Sequence, residues 1–224
     1  MGKRGQKPHG NTPLIWSADF AYAIGLIVTD GCLYNDKRHL SFVSKDFELV
    51  QTFKDILNIK ANISYKKSTS RESLTPHIQF GDVLLYRFLE DIGLSSAKSL
   101  TIGEVKIPKL YFFDFVRGCF DGDGSAYVYR DRRWKSSYLV QTSFCSGSIK
   151  FLEWIRSRIR EDAGIRGHVV SCKKRHFHQL RYGRKESHVL AGRMYYAGVK
   201  SYLKRKRLKL NEILGIVGDA SSGS

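Results

Sequence analysis

Two short segments of the chain, one in each half, end in the same acidic turn. The first closes with Asp30-Gly31 and the second with Asp123-Gly124, 93 positions further on, and each has another glycine six residues before its last one. Two neighbouring carboxylates are hard to keep ionised without a cation, and Mg²⁺ binds oxygen ligands of this kind. If the turns meet in the fold, Asp30 and Asp123 are candidates for a divalent-metal site to which each half contributes.

Helices with a stripe of small residues are predicted to bring the two turns together. Ala21, Gly25 and Thr29 are spaced four residues apart in the first segment, and Gly118 and Gly122 have the same spacing in the second. Such stripes let two helix backbones approach closely, because no large side chains hold them apart. We therefore expect the helices to pack through Gly25 and Gly118, with their C-terminal ends side by side.

The same order of elements follows each acidic turn. A strand-like stretch at 40–44 precedes Asp46 and an amphipathic helix, and a stretch at 140–145 precedes Ser148 and a second such helix. Aspartate and serine suit the position before a helix, because their side-chain oxygens accept the free N–H groups of its first turn. Each half thus reads helix, two strands, helix, two strands, helix, which predicts an α+β fold of two repeats. The predicted boundaries are a basic N-terminal arm at 1–13, a first repeat at 14–100, a linker at 101–108, a second repeat at 109–218 and a flexible tail at 219–224.

The chain is strongly basic, with 38 Lys and Arg against 21 Asp and Glu and a net charge of +17. The surplus is uneven: residues 1–108 hold 14 basic and 11 acidic side chains, whereas residues 109–224 hold 24 and 10. This favours a polyanionic partner, and we expect the second half to supply more of the phosphate contacts. No apolar run reaches the ~18 residues that span a bilayer, and the polar, basic N-terminus is not typical of a secretion signal. With four cysteines that lack CxxC spacing, we expect a reduced protein of the cytoplasm, or of an organellar matrix, with no membrane partner.

In the two acidic segments the chain resembles the LAGLIDADG homing endonucleases, in their single-chain form with two repeats. The first copy of the nine-residue motif keeps Gly25, Leu26, Ile27, Asp30 and Gly31, and the second keeps Gly118, Asp121, Asp123 and Gly124. The departures are Val28 and Thr29 in the first copy, and Val116, Arg117, Cys119, Phe120 and Gly122 in the second. The resemblance covers about residues 14 to 215. It implies two pseudo-symmetric αββαββα repeats, packed through the two motif helices, whose curved antiparallel sheets form a DNA-binding saddle.

The resemblance also implies an activity, the hydrolysis of both strands of duplex DNA across the minor groove to leave short 3′ overhangs. Mg²⁺ or Mn²⁺ would be held by Asp30 and Asp123 with the backbone carbonyls of Thr29 and Gly122, and Ca²⁺ would bind there without supporting cleavage. The expected partner is double-stranded DNA with a long asymmetric target site, bound by a monomer that an intron encodes.

Members of that family place a basic residue near each scissile phosphate, where it neutralises developing charge or polarises water. Lys98 follows the last helix of the first repeat and is the candidate there. In the second repeat Lys204 is the candidate by position, and Lys200, Arg205 and Lys206 compete with it.

Strand alternation indicates which side chains would read base edges in the major groove. Residues such as Ile78 and Leu180 are expected to face the core, so their neighbours along the strand face DNA. The candidates are Ser64, Lys66, His77, Gln79, Tyr127, Tyr129, Lys173, Arg175, Gln179 and Arg181, to which Arg133 in the basic loop at 130–137 is added. Arginine suits guanine and glutamine suits adenine, so Arg181, Gln79 and Gln179 are the candidates for direct readout.

Other functions remain open on the same fold. A catalytically silent protein would act as an intron RNA maturase or a DNA-binding regulator, and a protein with one dead site would nick a single strand. Loss of a motif aspartate would favour a silent protein, whereas Asp30 and Asp123 are both present.

Overall fold

The computed structural model describes residues 10–68, 71–96, 98–130, 138–172 and 177–215. Over these ranges the fold is α+β and consists of two repeats with the same order of elements. The first repeat comprises α1 (Ala18–Asp30), β1 (Gly31–Leu33), β2 (His39–Val43), α2 (Phe47–Ile56), β3 (Ser64–Ser68), β4 (Arg71–Gly81), α3 (Val83–Asp91) and the short α4 (Lys98–Thr101). The second comprises α5 (Phe112–Asp123), β5 (Ser125–Arg130), β6 (Tyr138–Ser146), α6 (Ile149–Ala163), β7 (His168–Cys172), β8 (Phe177–Gly183), α7 (Arg184–Met194) and α8 (Lys204–Leu214). This order confirms the predicted αββαββα repeats, each with one more helix after it.

Each repeat has an antiparallel sheet of four strands within the described residues, in the order β1-β2-β4-β3 and β5-β6-β8-β7. Equivalent pairs are in register in the two sheets: Ser41 lies opposite Gln79, and Ser143 lies opposite Arg181. One face of each sheet packs against helices, α2 and α3 in the first repeat and α6 and α7 in the second. Alternate strand residues such as Phe42 therefore belong to the core, because successive side chains of a strand point to opposite faces.

The helices α1 and α5 form the boundary between the repeats and are buried along most of their length. Ser17 begins α1, and its side-chain oxygen accepts the backbone N–H of Phe20 at 3.1 Å. A helix that is apolar on every side must be buried in a core, and α1, with nine consecutive buried residues from Phe20 to Val28, has that pattern.

Glycines let the two backbones touch, as the small-residue stripes predicted. A Cβ atom on Gly25 would lie 2.9 Å from the Cα atom of Gly118, and one on Gly118 would lie 2.1 Å from the carbonyl oxygen of Tyr22. No side chain larger than hydrogen fits at these two positions. The C-terminal ends of α1 and α5 consequently lie together. Helix α1 runs directly into β1, and Gly124 alone separates α5 from β5.

One predicted helix cap is present and the other is not. The hydroxyl of Ser148 accepts the backbone N–H of Phe151 at 3.4 Å at the start of α6. Asp46 stands at the start of α2 but makes no capping bond. Its carboxylate instead accepts the guanidinium of Arg205 at 2.6 Å, which links the two repeats. No helix among the described residues is long and apolar enough to cross a lipid bilayer.

Candidate active site at the repeat boundary

Asp30 and Asp123, the last residues of α1 and α5, come together at the repeat boundary. A Cβ atom on Gly122 would lie 2.8 Å from a carboxylate oxygen of Asp30, so the acid of the first repeat touches the last turn of the second motif helix. Burial raises the pKa of Asp30 to about 6, and the charge of Asp123 adds to the shift. Burial also raises the pKa of Asp123. Asp30 is partly buried, whereas Asp123 keeps an exposed surface. Nearby positive charge would stabilise the ionised form of both carboxylates.

Lys98 supplies positive charge from the first repeat. It is the first residue of α4, its side chain is buried, and its ammonium donates to the carbonyl of Gly31, the glycine of the first acidic turn. Burial lowers the pKa of Lys98, an effect that Asp30 and Asp123 oppose. The structure therefore places Lys98 within electrostatic reach of both acids.

Lys206 supplies positive charge from the second repeat. Its ammonium donates to the carbonyls of Phe120 at 2.8 Å, Gly122 at 2.6 Å and Gly124 at 2.8 Å. The last carbonyls of a helix have no partner within the helix, so an ammonium is well placed there. Burial lowers the pKa of Lys206 to about 8, although Asp30 and Asp123 pull it in the opposite direction. Gly124 is the equivalent of Gly31, and Lys206 is therefore the counterpart of Lys98.

The prediction that Lys204 occupies this position does not agree with the structure. Lys204 begins α8 and is exposed, whereas Lys206 lies two residues further along on the side of the helix that faces α5. Lys200 is also exposed, and Arg205 is paired with Asp46. Sequence position could not separate these four cations, because the choice depends on where α8 begins and which side it presents.

The donor atoms at the boundary fit a hard divalent cation. Two carboxylates and the adjacent backbone carbonyls of Thr29 and Gly122 are all oxygen ligands, which Mg²⁺ prefers. The Gly122 carbonyl already accepts from Lys206. The described residues hold no group of three or more His, Cys, Asp or Glu side chains placed to bind a metal. A cation here would therefore have water or phosphate oxygens among its ligands, as Mg²⁺ commonly does.

The outward faces of the two sheets, which carry Gln79 in the first repeat and Arg181 in the second, present most of the described candidates for base reading. Gln79 and Lys66 are exposed on the first sheet, and Tyr129 is 44% exposed on the second. The rings of Tyr127 and Tyr129 lie 5.8 Å apart, and the Tyr127 hydroxyl donates to Gln141 at 3.0 Å. Gln141 was not predicted, although its register opposite Tyr127 places it on the same face.

The side chains of Gln179 and Arg181 bind each other on this face. Arg181 donates through Nε to the side-chain oxygen of Gln179 at 3.0 Å. The candidates Arg133, Lys173 and Arg175 lie outside the described residues.

His77 is the exception on the first sheet. It has the same parity as Gln79, but it is only 5% exposed, and its Nδ1 atom lies 3.2 Å from the hydroxyl of the exposed Ser64. Burial lowers the pKa of His77, with a further contribution from the charge of Lys66. Alternation therefore did not predict the burial of His77, whose register partner on the neighbouring strand is Ser64.

Two αββαββα repeats that meet through a pair of helices ending in Asp-Gly define the LAGLIDADG fold, and solved structures confirm it. The homing endonuclease I-LtrWI bound to target DNA matches with a TM-score of 0.61 and 12% identity, over 89% of this chain and 90% of that one. Mesophilic variants of the homing endonuclease I-DmoI match with a TM-score of 0.56 and 16% identity, over 87% and 97%.

Full-length WhiA from Thermatoga maritima also has this fold, with a TM-score of 0.55 and 16% identity over 94% of this chain. The chain spans 65% of the length of that protein. No family model matches the sequence, and no curated protein matches it either. At these identities the likeness establishes the fold, and the function has to be inferred from the site.

Proposed function

We propose that this protein is a site-specific endonuclease that uses a divalent metal to hydrolyse one phosphodiester bond in each strand of duplex DNA, leaving short 3′ overhangs. The observation that carries the proposal is the pairing of Asp30 and Asp123, one from each repeat, with the buried Lys98 and the partly buried Lys206 beside them. A site with one acid and one lysine from each half suits a substrate with two strands.

Duplex DNA is the substrate class that the rest of the molecule supports. The net charge of +17 favours a polyanion, and polar side chains line one face of both sheets. The solved structures with this fold include I-LtrWI bound to target DNA and I-WcaI bound to its DNA recognition sequence. By analogy, the two sheets of this chain lie in the major groove, and the ends of α1 and α5 reach the minor groove between them. Since both acids belong to one chain, the active form is a monomer.

The proposed metal ligands are the carboxylates of Asp30 and Asp123 and the carbonyls of Thr29 and Gly122. When bound there, Mg²⁺ or Mn²⁺ would make water a stronger nucleophile and stabilise charge on the leaving oxygen. The chain itself brings the two carboxylates together, because the glycine contacts let the backbones of α1 and α5 pack directly against each other. It also keeps Asp30 partly desolvated, which strengthens the attraction of that carboxylate for a cation.

Lys98 and Lys206 have the proposed role of neutralising negative charge at the scissile phosphates. Both are held by backbone carbonyls rather than by the acids, so their charge remains available to a phosphate. An ammonium has three donors, and Lys206 directs them to three carbonyls. Binding of DNA would therefore exchange one of these bonds for a bond to phosphate.

Base reading is the proposed role of the outward sheet face. Arg181 can read guanine, and Gln79 and Gln179 can read adenine, with about 1–3 kcal/mol of discrimination for each good contact. In the free protein Arg181 is bound to Gln179. The pair is thereby restrained before DNA arrives, and one bond is exchanged for another when a base is read.

The decisive experiment incubates the protein with a randomised plasmid library in the presence of Mg²⁺ and sequences the ends that form. The expected result is a set of double-strand breaks that share one long asymmetric site. Specific DNA or intron RNA binding without a break at any site would instead identify a silent protein on the LAGLIDADG fold. Breaks in one strand alone would identify a nicking enzyme. Parallel incubation with Ca²⁺, which should allow binding without cleavage, is the control for metal use.

A further inference from the structure

A buried polar cluster distinguishes the second motif helix from the first. Asp114, Arg117 and Asp121 of α5 are 3%, 0% and 1% exposed. The equivalent residues of α1 are apolar and also buried: Ala21, Ile24 and Val28. Charged groups are expensive to bury unless they are paired and hydrogen-bonded. Three such groups on one helix therefore call for an explanation that the first repeat does not need.

The partners of the cluster lie mostly in the segment that connects α7 to α8. Arg117 donates to Asp114 at 2.8 Å, and it also donates to the backbone carbonyls of Met194 at 2.9 Å and Ser201 at 2.8 Å. Asp114 accepts the hydroxyl of Tyr196 at 2.9 Å. Helix α5 thus holds both ends of the connector at residues 195–203.

Asp121 makes the contact nearest to the active site. Its carboxylate accepts the backbone N–H of Leu203 at 2.7 Å, and it accepts the hydroxyls of Tyr195 and Tyr22 at 2.9 Å each. Tyr22 belongs to α1, so the carboxylate joins the connector to both motif helices. No part of the connector has helix or strand structure, and the hydrogen bonds to α5 fix its course.

Leu203 is the residue immediately before α8, and its carbonyl accepts the N–H of Lys206 at 3.1 Å in the first turn of that helix. Whatever fixes the backbone of Leu203 therefore also fixes where Lys206 enters the acidic turn. In the first repeat, α3 ends at Asp91 and Lys98 itself begins the next helix. The connector of the second repeat is longer, so more backbone conformational entropy is lost when its lysine is held in place.

We infer that Asp121 is a positioning residue for cleavage of one DNA strand, because it fixes Leu203 and thereby directs the ammonium of Lys206 to the end of α5. This inference rests on the proposed endonuclease function. It assigns a role to the first acid of the second motif, which lies too deep to touch substrate. It also makes the two halves of the site unequal. We call the bond from the Leu203 N–H to the Asp121 carboxylate the clamp, and the first motif, with Val28 at the same position, has no equivalent of it.

A role in folding alone would predict a different outcome. Loss of a purely structural contact lowers the amount of active protein and slows both strands together. Loss of a positioning contact displaces Lys206 and slows the strand that Lys206 serves. A displacement of about 1 Å in a catalytic group can reduce a rate roughly 100-fold. The cleavage rates of the two DNA strands should therefore differ clearly.

The test compares Asp121→Val, which introduces the residue of the first repeat, with Asp121→Asn, which keeps an oxygen for the N–H of Leu203. End-labelled duplex reports the cleavage rate of each strand under single-turnover conditions. Asp121→Val should slow one strand roughly 10- to 100-fold and leave the other nearly unchanged, so that nicked DNA accumulates. Asp121→Asn should keep most of the wild-type cleavage rate of that strand. The strand affected should be the one that Lys206→Met slows, and adding Asp121→Val to Lys206→Met should have little further effect.

Cys119→Ala is the matched control, because it removes a buried side chain from the same helix without touching the clamp. It should leave the ratio of the two strand rates unchanged. Equal slowing of both strands by Asp121→Val, or effects that simply add to those of Lys206→Met, would overturn the inference.

Amide hydrogen exchange gives a readout that needs no cleavage. In the wild-type protein the Leu203 N–H should exchange slowly, although it lies outside helix and strand. Asp121→Val should speed exchange over residues 195–206 and leave residues 83–91 unaffected. Rapid exchange at Leu203 in the wild type would refute the clamp even if that variant failed to fold. If the wild type cuts no DNA while this exchange pattern holds, the endonuclease proposal fails and the clamp itself stands.

Discussion

Gly25 and Gly118 touch across the boundary between the repeats, and a Cβ atom on Gly118 would lie 3.0 Å from the Cα atom of Gly25. We expect Gly118→Ala to destabilise the protein by about 1–3 kcal/mol, the usual cost of overpacking a core, because the added methyl also meets the backbone carbonyl of Tyr22. Urea unfolding measures this free energy. Gly192→Ala is the matched control, since Gly192 lies in α7 with open space around it. It should stabilise the helix by about 0.5–1 kcal/mol.

The two motif acids should be indispensable for cleavage and dispensable for binding. Asp30→Asn and Asp123→Asn each remove a proposed metal ligand and should reduce double-strand cleavage at least about 100-fold. Binding measured in Ca²⁺ should remain within a few-fold of wild type, because the sheets are untouched. Normal cleavage of both strands by either variant would show that the metal is held elsewhere.

The charge of Asp30 should weaken the metal-free fold at neutral pH. Its pKa is about 6 in the folded protein, against 3.8 for a free carboxyl, so the folded state binds the proton more tightly than the unfolded chain does. Its contribution is therefore most favourable below pH 4 and is lost as the pH rises through 6. In EDTA, Asp30→Asn should raise the free energy of unfolding at pH 7.5 by the order of 1–3 kcal/mol relative to its effect at pH 4. Mg²⁺ should raise the Tm of the wild type at pH 7.5 more than that of Asp30→Asn. A difference between the two proteins that does not change with pH would contradict this.

Lys206, and not Lys204, should matter for chemistry. Lys206→Met removes an ammonium from the acidic turn and should slow one strand by about 100-fold or more. Lys204→Met changes an exposed side chain and should leave the cleavage rate of bound DNA unaltered, with at most a small change in the salt dependence of binding. Strand-resolved rates at saturating enzyme distinguish the two variants. A larger effect of Lys204→Met than of Lys206→Met would instead identify Lys204 as the lysine that acts at the scissile phosphate.

Arg181 should contribute specificity rather than general affinity. Arg181→Ala should weaken binding to the preferred site by about 1–3 kcal/mol and relax the preference at one base pair. Arg160→Ala, on the exposed side of α6, is the control and should leave specificity unchanged. Binding to a panel of sites with single base changes reports both. Uniform loss across the panel would identify Arg181 as a phosphate contact.

Local patterns in the sequence predicted the features that depend on local geometry. Spacing of small residues predicted the close approach of Gly25 and Gly118, because four-residue spacing places them on one side of a helix. Alternation predicted that Gln79 faces outward. It did not predict the burial of His77, because how deep a strand residue lies depends on the tertiary packing around it.

Features that depend on tertiary contacts were not predictable. Asp46 has the residue type of a helix cap, but it is held by Arg205, which is 159 positions away. Lys206 is recognisable only when the carbonyls of α5 are in place around it. Of Asp114, Arg117 and Asp121, only Arg117 departs from the motif, and nothing local indicated the partners of the three residues in the connector.

The bond from Tyr22 to Asp121 limits how the two halves can be recombined. The residue of the second repeat that corresponds to Tyr22 is Phe115, which has no hydroxyl to donate. A symmetric dimer of two second repeats would therefore leave each Asp121 short of a donor, and a dimer of two first repeats would have no Asp121 at all. Exchange of either half for that of another protein with this fold would keep the bond only if the new pair of motif helices again supplied a tyrosine and an aspartate at these positions. Each half supplies one partner of this bond, so neither half can form it with a copy of itself.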